Sequence, residues 1–253
     1  MQIKSLKNMA GLILMTGIVS CNNQAAGDKS TTDTTGNAGG DKTEAAPSAW
    51  VAIFDGVSQK GWHGYNKQPG ELKNWMIEDS SLVCLGAAAD AHGGDIVTDK
   101  TYTDFELAWD WKVTKGANSG VMYHVVEDTA YQAPYETGPE YQVIDDIGFP
   151  DKLEEWQKAG ADYAMHNSNE RKKLKPAGEW NSSKIIFNKG HVEHWLNGEK
   201  IVDFQAWDAE WTKKKEEGKW KDYPGYGTAK TGHIALQDHG NKVYYRNIMI
   251  REL

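Results

Sequence analysis

Apolar and polar residues alternate through much of the chain beyond residue 49. The clearest run covers 105–113, Phe-Glu-Leu-Ala-Trp-Asp-Trp-Lys-Val. Phe105, Leu107, Trp109, Trp111 and Val113 share one side, and Glu106, Asp110 and Lys112 share the other, the period of two of a half-buried strand. The same alternation, bounded by Gly, Asn and Asp, predicts strands over 50–54, 75–78, 82–85, 120–126, 140–144, 184–187, 191–196, 201–204, 233–237 and 243–251. Asn197-Gly198 between two of these runs is a hairpin signal. So many short strands in series, with few helices, predict an all-β fold of two packed antiparallel sheets. Two stretches break the period. Residues 150–175 carry Leu153, Trp156 and Gln157 at helical spacing and then a polar loop. Residues 207–220 read as a short charged helix, with Asp208 as N-cap and Trp211 on its apolar side. Both are insertions on a β scaffold, where long loops often build a binding site.

The first twenty residues follow another logic. Lys4 and Lys7 form a positive segment, and 9–19 is an apolar run broken only by small or weakly polar residues. A permanent span takes about 20 apolar residues, so this run is too short. Ile18-Val19-Ser20-Cys21 fits the lipobox order of aliphatic, small or aliphatic, small, cysteine. Residues 1–20 are therefore expected to be a lipoprotein signal peptide, with Cys21 lipidated after cleavage; an ordinary secretory signal is the alternative. Each acyl methylene buried in the membrane contributes about 0.8 kcal/mol, so several chains anchor stably. Residues 21–48 continue as a Gly-, Ala-, Ser-, Thr- and Asn-rich stretch that cannot offset the entropy of ordering, hence a flexible tether. The expectation is a lipid-anchored, extracytoplasmic protein, periplasmic or on the cell surface, with the outer membrane as the favoured site and one folded domain over 49–253.

That leaves roughly 200 residues, enough for one β-sandwich with a sizeable core. The formal net charge of −8 argues against nucleic acid as a partner. With Cys21 carrying lipid, Cys84 is the one thiol left, so no intrachain disulfide forms. Its neighbours Leu82, Val83 and Leu85 predict a buried, inert thiol. Eleven tryptophans stand out. Core filling accounts for most of them; stacking on the C–H faces of sugar rings is the sharper alternative.

Alternation also assigns side chains to faces. Tyr141 and Val143 supply the apolar side of 140–144, leaving Glu140 and Gln142 opposite. Val121, Tyr123 and Val125 leave Gly120, Met122 and His124 opposite, and Ile234 and Leu236 leave Ala235, Gln237 and His239 opposite. A polar concave face carrying Glu140, Gln142, His124, Gln237 and His239 is the result. Gln and His, where exposed sheets usually carry Lys, Glu and Thr, favour a site over a solvated coat.

A run of motifs then resembles the 3-keto-disaccharide hydrolase domain family. They are Ile53-Phe54-Asp55-Gly56 with Gly61-Trp62, Asp104-Phe105-Glu106-Leu107, Asn118-Ser119-Gly120-Val121, and Gly138-Pro139-Glu140-Tyr141-Gln142-Val143-Ile144-Asp145. Gly178-Glu179-Trp180-Asn181, Glu193-His194-Trp195-Leu196-Asn197-Gly198, Gly232-His233-Ile234-Ala235-Leu236-Gln237-Asp238-His239-Gly240 and Arg246-Asn247-Ile248 follow in family order. The resemblance implies a concanavalin A-like jelly-roll sandwich with short helical insertions, shaped like the family 16 glycoside hydrolases, in a lipoprotein of Bacteroidetes. It also implies action on sugars already oxidised to a ketone at C3. Asn118, Gln142, Trp180, Asn181, Gln237, His239 and Arg246 are then the expected sugar contacts. His124 stands where many members have Arg.

Family 16 enzymes carry Glu-x-Asp-x-x-Glu, and Glu140-Tyr-Gln142-Val-Ile-Asp145 has the same spacing. A retaining glycosidase needs two carboxyl groups about 5–5.5 Å apart, and Gln142 cannot ionise. Asp145 is the second carboxyl only if a bulge restores its facing. A 3-keto sugar removes the need for the pair, because its carbonyl acidifies the C2 proton and a single base can start an elimination, completed by hydration. Glu140 is the expected base, with Asp145, His124 and His194 as alternatives for the role. His124, His194 or Arg246 would polarise the carbonyl. His with carboxylate also suits Mn²⁺ or Zn²⁺, so a divalent metal is compatible, although no His-Glu-x-x-His spacing points to one. His191 and His194 differ by an odd number on a strand and should face opposite ways. A non-catalytic carbohydrate-binding module using the same face, or a sandwich serving only as scaffold, are the competing readings.

Overall fold

The computed structural model describes residues 48–70, 72–86 and 94–253. The signal segment, Cys21 and the tether up to residue 47 lie outside the described residues. An eight-stranded sheet runs in the order β11 (Glu199–Gln205), β10 (His191–Leu196), β9 (Asn181–Asn188), β6 (Phe105–Val113), β13 (Lys242–Glu252), β4 (Ser81–Leu85), β3 (Trp75–Glu78), with β1 (Val51–Ala52) paired to β13. A five-stranded sheet runs β2 (Trp62–Gly64), β5 (Ile96–Tyr102), β12 (Gly232–Leu236), β7 (Asn118–Val125), β8 (Glu140–Ile144). Every strand pairing is antiparallel. The two packed antiparallel sheets that the alternation predicts, in the jelly-roll sandwich that the resemblance implies, are what the chain forms.

Strand β6 shows why. Phe105, Leu107, Trp109, Trp111 and Val113 are buried between the sheets while the residues between them are half-buried on the outside. Packing two such faces removes the apolar sides of both sheets from water, at about 25 cal/mol per Å². Six of the eleven tryptophans are buried (Trp62, Trp75, Trp109, Trp111, Trp211 and Trp220), so core filling explains the majority. Trp111 donates through Nε1 to Ser183 Oγ at 2.8 Å, which also meets Tyr141 OH at 2.8 Å. Cys84 is buried, and burial pushes its thiol far above the ordinary range. Asn197 and Gly198 both take positive φ, 48° and 85°, the backbone of a two-residue hairpin turn.

Two strands of the five-stranded sheet, β2 and β5, have no counterpart in the alternation, because Thr98-Asp99-Lys100-Thr101 hides the pattern in β5. Helix α1 (Ala209–Glu217) forms where expected, with Asp208 Oδ1 accepting from Trp211 N at 2.8 Å. The helical spacing in 150–175 yields only a 3₁₀ turn at Glu155–Gln157. The following residues instead join the free edge of β8: Gly160 N donates to Gln142 O (2.8 Å), Gln142 N to Ala161 O (3.1 Å) and Tyr163 N to Glu140 O (3.0 Å). An edge strand left bare would present unpaired backbone groups, and this segment satisfies them.

Candidate active site

The strand register places the polar face. Glu140 pairs with Met122, and Met122 with Ala235, which pairs with Val97. The neighbouring row is Gln142 opposite Gly120, then Gln237, whose N donates to Gly120 O at 3.0 Å. Asp95 follows, its Oδ1 accepting from Asp238 N at 2.8 Å. Directly opposed residues of an antiparallel pair point to the same side, so Glu140, Gln142, Gly120 and Met122 share the face turned away from the inter-sheet core. On that face Met122, Ala235, Val97, Val125 and Tyr65 form a small apolar cluster of their own. It floors the polar groups and keeps water from beneath them.

Glycine at 120 is required by space. A Cβ there would stand 2.0 Å from Glu140 Oε1. The glutamate side chain therefore lies across the strand β7 backbone, towards the Gln142–Gly120–Gln237 row.

Glu140 is 4 % exposed, and among the described residues its carboxyl accepts no hydrogen bond. Burial pushes its pKa up to about 8; Lys219 opposes that rise, and Asp95 and Asp162 add to it. Asp95 is likewise pushed up by burial, to about 6, against the hydrogen bond from Asp238. Three buried amide oxygens nearby have no partner among the described residues: Gln142 Oε1, Asn118 Oδ1 and Gln237 Oε1. Gln142 is oriented by donating Nε2 to Gln157 O at 3.0 Å, which leaves Oε1 as the open acceptor. A buried acceptor without a donor costs about 1–3 kcal/mol. Several on one face suit a ligand rich in hydroxyl donors. At the Asp95 end the face borders a cavity of about 370 Å³ lined by Gly64, Lys67, Asn74, Trp75 and Asp95. At the Glu140 end stand Trp156 and Tyr163, ring centroids 5.2 Å apart.

The structure thus brings together Glu140, Gln142, Asn118 and Gln237, and separates the other expected site residues from them. His124 takes φ 53°, a local irregularity in β7 that turns its ring inward. The ring packs 4.3 Å from Phe187, with Nε2 2.8 Å from Thr103 O, and burial lowers its pKa. The face assigned to it by alternation is corrected accordingly. His194 is buried in the eight-stranded sheet, Nδ1 3.0 Å from Gly160 O, while His191 faces outward to Asp203 as the odd spacing requires. Asp145 lies beyond the end of β8 and accepts from Gly116 N and Ile147 N, which ties down a loop. Five residues of strand separate its Cα from that of Glu140 by about 16 Å, and no bulge brings it back. Trp180 and Arg246 stack on each other, guanidinium 3.8 Å from the ring, on the outer face of the eight-stranded sheet. Asn181 is buried, and its Oδ1 accepts from Lys175 N and Asn197 Nδ2. His239 is exposed in the turn after β12.

Asp95, Tyr163 and Lys219 join the site without having been singled out in the sequence. Asp95 follows two glycines, and Lys219 closes a lysine-rich run that reads as a solvated helix. Among the described residues, the trio able to offer a metal three ligand atoms within 4.8 Å is His191, Glu193 and Asp203. It sits on the outer face of the other sheet, where Lys200 Nζ already bridges Glu193 (3.1 Å) and Asp203 (2.5 Å).

Comparison with known proteins agrees with the fold. The profile of the 3-keto-alpha-glucoside-1,2-lyase-like domain matches residues 49–251. The chain is 34 % identical over 234 residues to a 3-keto-disaccharide hydrolase of Bacteroides thetaiotaomicron, covering 81 % of this chain and 78 % of the relative. It is 44 % identical to a solved Parabacteroides distasonis protein described as a glycosyl hydrolase, with a TM-score of 0.75 over 81 % of this chain and 94 % of the other. A second P. distasonis structure, 22 % identical with a TM-score of 0.61 over 81 % of this chain and 100 % of the other, shares the fold.

Proposed function

The chain belongs to the 3-keto-alpha-glucoside-1,2-lyase-like family and is a hydrolase-type enzyme, and from that premise we propose that it cleaves 3-keto-glycosides by proton abstraction at C2, with Glu140 as the base. The observation that carries the reading is the buried Glu140 carboxyl, which accepts no hydrogen bond from the described residues and lies over Gly120 near the amide oxygens of Gln142, Asn118 and Gln237.

The chemistry needs one base. Glu140 takes the C2 proton, and the C2–H electron pair becomes the C2=C3 bond as the carbonyl π pair moves onto O3. The O3 pair then re-forms the carbonyl, C1=C2 forms, and the C1–O bond breaks with its pair going to the leaving oxygen, which takes up a proton. Water adds across C1=C2, hydroxyl to C1 and proton to C2, so the sum is hydrolysis. Burial makes a carboxylate a stronger base, matched to a weakly acidic C–H. The three amide oxygens would accept from sugar hydroxyls. A double displacement lacks a second carboxyl next to Glu140, since Gln142 occupies that position, Asp145 is committed to its loop and Asp95 stands at the far end of the row.

A base of this kind contributes about 10²–10⁴-fold, so Glu140→Gln should lose that much in kcat with KM little changed. For the native enzyme, kcat/KM should rise with pH up to about 8 and then level off. Substrate deuterated at C2 should react more slowly or lose its label to solvent. Cleavage by Glu140→Gln at the native rate, or without isotope effect and exchange, defeats the reading. Binding without turnover would favour a carbohydrate-binding module. The lipobox at Ile18-Val19-Ser20-Cys21 supports an extracytoplasmic, lipid-anchored enzyme; labelled palmitate still entering Cys21→Ala would rule that out.

A further inference from the structure

An elimination through an enolate needs a positive group at O3 as well as a base. The cations suggested by sequence, His124, His194 and Arg246, lie between the sheets or on the far face. Resting on the elimination reading, we propose that Lys219 is the catalytic electrophile, its ammonium donating to O3 as negative charge develops there.

Three observations converge on it. Tyr163 is the direct cross-strand neighbour of Glu140, joined by Tyr163 N to Glu140 O at 3.0 Å, so their side chains share a face. Lys219 Nζ stands 4.1 Å from the Tyr163 ring centroid and 4.9 Å from that of Trp220. Trp220 is itself fixed, donating through Nε1 to Tyr163 O at 3.2 Å and stacked 4.1 Å from Tyr226. Two rings thus hold the ammonium over the cross-strand neighbour of Glu140, and its positive charge favours the ionised form of that carboxyl, against the effect of burial.

The lysines of helix α1 are otherwise engaged. Lys213 pairs with Glu217, Lys214 with Glu210, and Lys215 Nζ donates to Pro224 O. Lys219 makes no ion pair with any described residue, and it is exposed. Aromatic faces hold a cation without neutralising it, which leaves its N–H groups for substrate. At the opposite end of the row, Lys67 acts on Asp95.

The test uses the full chain with a 4-nitrophenyl 3-keto-glucoside, following nitrophenolate release and, in D₂O, exchange of the C2 proton. Loss of one oxyanion donor costs about 10²–10³-fold. Lys219→Met should lower release and exchange together by that factor, with KM changed no more than a few-fold. It should also move the rising limb of kcat/KM to higher pH, because a charge favouring ionised Glu140 is gone. Lys219→Arg should return the limb and part of the rate. Native kcat in Lys219→Met, a loss confined to KM, or an unmoved limb with no rescue by Arg would each overturn the assignment. Glu140→Gln run in parallel separates the two readings. If it abolishes exchange while Lys219→Met does not, only the role of Lys219 falls; if it leaves exchange intact, the elimination itself falls.

Discussion

Glu140 lies across Gly120, so close that a methyl group on the glycine would sit 2.0 Å from the carboxylate oxygen. The two residues stand on adjacent strands two residues apart in register, since Gly120 pairs with Gln142 and Met122 with Glu140. The absent side chain is what lets a buried carboxyl reach over a strand towards the polar row.

Gly120→Ala should therefore displace the carboxyl while sparing the fold. Gly120 does not have a positive φ, so alanine fits its backbone, and what it meets is the Glu140 side chain from Cγ outwards, which must swing aside as a whole, rather than any backbone atom. A displacement near 1 Å can cost about 10²-fold in rate. We expect kcat to fall by about that factor, with the thermal midpoint lowered by only a few degrees. A native rate would mean that the reacting group is not held at this spot.

Asn181 was expected at the sugar and is found pinning the loop before β9 to the β10–β11 turn. Its Oδ1 takes hydrogen bonds from Lys175 N and Asn197 Nδ2, and its Nδ2 donates to Lys175 O. Removing it leaves buried partners unmet, at about 1–3 kcal/mol. Asn181→Ala should lose that much in denaturant unfolding and keep KM within about twofold. A tenfold rise in KM at unchanged stability would return Asn181 to the substrate.

The contrast between Glu140 and His124 explains how far alternation could be followed. Period-two facing is reliable where a strand is regular, and it assigned Glu140 and Gln142 correctly because β8 runs unbroken from Glu140 to Ile144. In β7 the left-handed residue His124 interrupts the ladder, and from there the parity reverses: Val125, expected on the inner side, joins the outer cluster. A histidine gives little local warning of such a bend. Trp180 and Arg246 were misplaced for a different reason. Arg246 lies in β13 and Trp180 immediately precedes β9, and periodicity cannot tell which of two sheets a strand joins; both strands belong to the eight-stranded one. Lys219 and Tyr163 were hidden because their neighbourhood is made by loops meeting in space. Two packed sheets need only the pattern of inward residues; the electrostatics around Glu140 need the contacts.

The last prediction concerns stability against pH. Glu140 keeps its proton up to about pH 8 in the folded chain, against an ordinary value near 4.5. Between those two values the folded state holds a proton that the unfolded state has released. Stability from this group is thus fully present below about pH 4.5 and falls as pH rises, each pH unit in the window costing up to about 1.4 kcal/mol. Asp95, raised to about 6 by the same burial, adds a smaller loss of the same sign at the lower end. Glu140→Gln has no proton to lose and fits the same space. Urea unfolding at pH 5 and pH 9 should show the native chain losing several kcal/mol more than Glu140→Gln over that range, with the variant the more stable at pH 9. The double variant Glu140→Gln with Asp95→Asn should flatten the profile further. A native curve that rises from pH 5 to pH 9, or that parallels the variant, would mean that Glu140 is already ionised in the folded chain, and that the force making it a strong base is missing.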